Sequence, residues 1–77
     1  MNYKKEIKEL IADRAGVEIE EIHDDSYFED DLNIGEFELI DILTEIEDMY
    51  EIEDLLSRKQ EFETVGELMD YLGDKLE

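Results

Sequence analysis

The chain has no cysteine and no proline, a single histidine, and only seven lysine and arginine residues against 26 aspartate and glutamate. Each shortage removes a class of explanation. Without cysteine there is neither a disulfide framework nor a thiolate metal site, so a domain this small must be held by packing alone. Without proline, nothing breaks the apolar spacing along the chain. No apolar run approaches the ~20 residues that a membrane span requires, and no charged stretch leads into an apolar one as in a secretory leader. A cytoplasmic protein without membrane contacts is therefore expected. One histidine and no cysteine supply no nucleophile with its base, and a core this small leaves no room for a substrate cleft; no enzymatic activity is expected. His23 stands among Glu20, Glu21, Asp24 and Asp25, where a surface ion pair is expected rather than a catalytic or zinc-binding role.

What is present is negative charge. A formal net charge of -19 on 77 residues repels nucleic acid and anionic lipid and favours basic partners, with association that weakens as salt rises. The length allows one domain, which buries about 60% of the surface its unfolded chain exposes. A charge this high can also keep a chain disordered, but apolar residues make up 42% of the sequence and fall at regular intervals.

Those intervals predict helices. Tyr3, Ile7, Leu10, Ile11 and Ala15 recur at helical spacing with Lys4, Lys5, Glu6, Lys8 and Glu9 between them, giving a first helix over about 2–15, capped by Asn2 and ended by Gly16. Residues 17–35 carry short apolar anchors without a period of 3.6, an ordered loop whose Tyr27 and Phe28 are expected to plug the end of a bundle. Over about 36–50 the apolar set Phe37, Leu39, Ile40, Ile42, Leu43, Ile46, Met49 and Tyr50 forms a wide stripe, and Glu38, Asp41, Glu45 and Asp48 a second, acidic one. This is the second helix. A short third helix fits about 53–61, pinned by Ile52, Leu55, Leu56 and Phe62. Thr64 with Glu67 is a capping box opening a fourth helix over about 65–73, ended by Gly73. The expected fold is all-α, a small four-helix bundle with a short third helix and a long first loop.

The order of these features, with Phe28-Glu29-Asp30-Asp31-Leu32, then Glu38-Leu39-Ile40-Asp41, then Thr64-Val65-Gly66-Glu67-Leu68, resembles the acyl carrier protein family over roughly residues 4–72. The resemblance implies a four-helix bundle whose second helix docks basic patches on enzymes of fatty-acid, polyketide or peptidyl metabolism. By position, Glu36, Phe37, Glu38, Asp41, Glu45, Glu47 and Asp48 would form that docking face. A monomer is expected.

The departures from the family pattern fall at its centre. The family attaches 4'-phosphopantetheine to the serine of an Asp-Ser-Leu triplet, and the matching triplet here is Gly35-Glu36-Phe37. Asn33 stands where the family usually has glycine, Glu53 where proline is frequent, and about two residues are added around the third helix. A phosphoester needs a hydroxyl, and Glu36 has none, so no cofactor is expected. Ser26 and Ser57 read as ordinary loop or cap hydroxyls. A carboxylate in a first turn is favoured by the helix dipole by about 0.3–1 kcal/mol; Glu36 also brings the one negative charge that a phosphodiester would. A calcium loop with Gly35 at its sixth position puts Leu32 and Ile34 at its third and fifth, where ligands belong, so no specific metal site is expected. Two functions remain: a carrier-like docking protein without its arm, or a non-carrier acidic module that regulates or inhibits by occupying a basic surface.

Overall fold

A computed structural model describes residues 3–77. Three α-helices, α1 (Tyr3–Ala15), α2 (Glu36–Tyr50) and α3 (Val65–Leu76), are joined through two 3-10 segments, Ile19–Glu21 and Leu56–Glu61. The chain is all-α, with no strand among the described residues beyond an isolated antiparallel bridge between Tyr27 and Thr64. The Asn2 cap expected for α1 lies outside the described residues. At the other end Gly16 does terminate that helix: its backbone is left-handed at φ 73°, and the Gly16 and Val17 N–H groups both reach Ala12 O, at 2.9 and 3.1 Å. This is the αL cap that glycine makes at low steric cost.

Each helix turns its apolar stripe inward. Ile7 and Ile11 of α1, Ile42, Leu43 and Ile46 of α2, and Val65, Leu68 and Leu72 of α3 are fully buried against one another. Burying one such side chain contributes about 1.5–3 kcal/mol, so a core this thin depends on every member. The first loop adds Ile22, Phe28, Leu32 and Ile34 to it. Only half of the expected aromatic plug forms: Phe28 is buried, whereas Tyr27 is 47% exposed. Strand-like pairing explains the split, because Phe28 N–H donates to Glu63 O and Val65 N–H to Ser26 O, and residues adjacent along an extended backbone point to opposite sides.

That pairing places the loop against the start of α3. The Thr64–Glu67 box forms as expected, with Glu67 N–H donating to Thr64 Oγ1 at 3.2 Å and Thr64 N–H to Glu67 Oε1 at 3.0 Å. One residue into the helix, Gly66 N–H donates to Asp24 O at 2.7 Å. A side chain cannot fit there, since a Cβ on Gly66 would lie 2.8 Å from the same oxygen.

Two expected boundaries are corrected. The third helix is not α-helical over 53–61; it is the 3-10 segment Leu56–Glu61, kinked at Arg58 (φ -109°, ψ 18°), with no buried residue of its own. It packs on the core only through the half-buried Leu56, and its buried anchors Leu55 and Phe62 flank it. The fourth helix does not end at Gly73 but runs through Leu76. Tertiary contacts outweigh the cost of an internal glycine: Leu76 packs on the core, Lys75 pairs with Asp54, and Tyr3 Oη donates to Glu77.

The two glycines of α3 therefore predict opposite responses to alanine. Gly66→Ala must push α3 away from the loop and should lower stability by roughly 1–3 kcal/mol. Gly73→Ala meets only Tyr3 Oη at an ordinary 3.5 Å and should raise it by roughly 0.5–1 kcal/mol. Denaturant midpoints of the two variants check both signs.

Candidate functional site

α2 carries six carboxylates and no cation over its 15 residues. Its helical pitch sorts them. With Ile42, Leu43 and Ile46 buried on the inner side, the spacing of 4, 3 and 4 residues lines Phe37, Asp41, Thr44 and Asp48 along the outer side, and all four are exposed. Phe37 is 83% exposed and Met49 46%, so neither shares the burial of the rest of the apolar set of α2. The phenyl ring of Phe37 is thus held in water beside carboxylates, outside the buried core.

The seven residues expected on a docking face do not share one environment. Phe37, Glu38, Asp41 and Asp48 are exposed; Glu38 also accepts the Gly35 N–H at 3.3 Å, tying down the helix start. Glu45 is ion-paired to Arg14 of α1. Glu47 lies on the far flank, where its carboxylate accepts the Leu56 N–H at 2.8 Å and so caps the 3-10 segment. Glu36 leans off the outer line toward that segment, 3.5 Å from Lys59 Nζ, and is 69% exposed at its side chain. Gly35, one residue earlier, has nothing within 4 Å of where its Cβ would stand.

Beside Glu36 runs an open groove of about 330 Å³ between the first loop and the 3-10 segment. Phe28, Ile34, Leu39 and Phe62 form its apolar lining, and Lys59 is the one cation among the described residues that line it, against Glu29, Asp30, Glu36 and Glu63. Ser26 is not available for chemistry: it is buried, and its Oγ accepts the His23 N–H at 3.1 Å. The exposed Ser57 donates to Asp54 O at 2.9 Å. Among the described residues, ion pairs run through Arg14, Arg58, Lys59 and Lys75, not through His23, contrary to expectation. No group of three or more His, Asp or Glu side chains among the described residues is placed to hold a metal ion, and no described helix is long and apolar enough to cross a membrane.

The far side of the 3-10 segment is fixed by a cluster that sequence spacing did not signal. Arg58 and Lys75 both stand 5.5 Å from the centre of the Tyr71 ring, and Phe62 packs on that ring at 5.4 Å. Lys75 Nζ lies 3.2 Å from Asp54. The Tyr71 oxygen is buried without a well-formed hydrogen bond, yet the hydroxyl, together with Lys75, holds the neighbouring Asp54 carboxyl below the usual carboxylate range. At the C-terminal end of α2, Tyr50 Oη donates to Glu6 of α1. Burial and that hydrogen bond push the Tyr50 phenol up to about 12.

Because the folded chain holds the Tyr50 proton more tightly than the unfolded one, the linked stability is complete below pH 10 and is lost as pH rises toward about 12. Thermal melts across that window should fall more steeply for the wild type than for Tyr50→Phe. Parallel slopes would remove this residue from the alkaline transition. Asp54 acts with the opposite sign: its contribution is complete above the ordinary value of 3.8 and is lost as pH falls through the lower folded value.

No protein-family model matches the chain; its chemistry has to be taken from the residues themselves.

Proposed function

We propose that this chain is an acyl-carrier-like docking protein that binds basic surfaces of acyl- or peptidyl-metabolism enzymes through the outer face of α2 and carries no phosphopantetheine. The observation that supports this most is the outer line of α2, where the almost fully exposed Phe37 heads a row with Asp41 and Asp48 on a helix that has no cation. An apolar anchor rimmed by like charges fits a partner that offers a pocket among arginines or lysines. Glu36 occupies the position matching the family's attachment serine and cannot form the phosphoester. The acidic regulatory or inhibitory module uses the same face, and it is favoured by the missing hydroxyl.

The two are separated by restoring the triplet. Gly35 has open space for a side chain, and an aspartate there would accept backbone N–H groups at the helix start, so Gly35→Asp with Glu36→Ser should fold as the wild type does. Incubated with coenzyme A and a broad-specificity phosphopantetheinyl transferase, this double variant should gain one arm by intact mass spectrometry, and less of it as salt is raised. The wild type should gain none. A folded double variant that stays unmodified leaves the non-carrier module standing, and an arm on the wild type would overturn the claim that the site is dead.

A further inference from the structure

The reading of α2 as a docking face leaves one cation unexplained. Lys59 belongs to a segment with no fully buried residue, yet its side chain is only 24% exposed. Its aliphatic stem lies in the groove beside α2, and its ammonium faces Glu36. Long cationic side chains commonly cover apolar surface in this way while keeping the charged end in water. What the position adds is competition. The first carboxylate of α2 is already partnered, within the chain, by the kind of group that a basic partner would present to it.

We propose that Lys59 is a built-in competitor for the basic partner: it occupies Glu36 in the free protein and must swing away before a cation of the partner docks at that end of α2. Three features carry this. The ion pair is separated by 3.5 Å with much of the Glu36 side chain in water, a geometry and setting in which exchange of one cation for another costs little. Lys59 follows the kink at Arg58 and is no member of the buried core, so its side chain can swing away while Leu56 stays packed. The neighbouring Arg58 is engaged on the other side, by Asp54, Glu61 and the Tyr71 ring, which anchors the segment while Lys59 exchanges. The groove that Lys59 vacates has an apolar floor and acids at Glu29, Asp30 and Glu63, and accepts the partner's cationic side chain in its place.

This inference rests on the docking role of α2, and one titration tests the two separately. The probe is an acetylated, amidated amphipathic peptide with arginine on one helical face and leucine on the other, added to the isotope-labelled protein while backbone amide shifts are followed. The proteins are the wild type, Lys59→Met, which keeps the stem, Lys59→Arg, which keeps the competitor, Lys4→Met, which removes one charge elsewhere, and Lys59→Met in a Glu36→Gln background. Lys59→Met should bind about threefold tighter or more than both the wild type and Lys4→Met. Lys59→Arg should match the wild type, and the gain should vanish when Glu36 is neutral. If Lys59→Met gains no more than Lys4→Met while the α2 amides still shift, the competitor role is overturned and docking stands. If the peptide leaves the amides of Phe37, Asp41, Thr44 and Asp48 unmoved in every protein, docking by α2 fails, and the competitor role with it.

Discussion

Nineteen unbalanced negative charges must be held around a core only three helices wide, in a body of 26 × 25 × 19 Å. Repulsion on that scale opposes compaction of the chain as a whole, and the few cations stand at joints between elements. Arg14 joins α1 to α2 through Glu45, Lys59 joins the 3-10 segment to α2 through Glu36, and Lys75 joins α3 to Asp54 just before that segment. Each is a weak surface pair taken singly. α1 and the 3-10 segment are the two elements in which cations outnumber acids, and both are paired with the acid-only α2, so opposite charges meet at these joints. α2 has no cation of its own; Arg14 stands beside Asp41, Thr44 and Asp48 at one end of its outer line, and the exposed phenyl ring lies at the other.

Several carboxylates have been turned to structural use. Glu67 closes the α3 capping box, Glu47 caps the 3-10 segment, and Glu38 and Glu21 each receive a backbone N–H at the start of the helix that carries them. An acid engaged with an unpaired N–H helps hold the backbone that its neighbours strain. This divides the acids of α2 into those that the fold consumes and those left over. Asp41 and Asp48 are in the second group, on the same outer line as Phe37.

The start of α3, the end of α1 and both bounds of α2 were legible because they follow from local rules: a Thr–Glu box, a glycine at the end of an amphipathic repeat, and a change from loop to helical spacing. The exposed position of Phe37 was legible too, since it stands in register with Asp41, Thr44 and Asp48; counting every apolar side chain as core conceals it. Gly66 was not legible. Its requirement arises from the backbone of Asp24, distant in the chain, and no local pattern encodes such a contact. The 3-10 segment escaped for a similar reason, being defined by its flanking anchors Leu55 and Phe62 and by the Tyr71 cluster rather than by a period of its own. Of the candidate site, sequence supplied the acids; it could not tell that Glu47 faces inward to Leu56 or that Glu36 meets Lys59.

The close approach of Gly66 to Asp24 also bears on how the chain reaches this shape. α1 and α2 can pair as a helical hairpin, but the seat for α3 is made in part by the first loop, whose backbone must already be laid down for Asp24 and Ser26 to receive the Gly66 and Val65 N–H groups. These contacts close chain segments as long as those closed by α1 on α2 through Glu6 and Tyr50, and both closures carry the same kind of entropic cost. The end of the groove formed by Phe62 and Glu63 therefore shares its backbone support with the seat of α3, since Phe28 N–H is bonded to Glu63 O beside it, and a change that loosens α3 loosens the groove too.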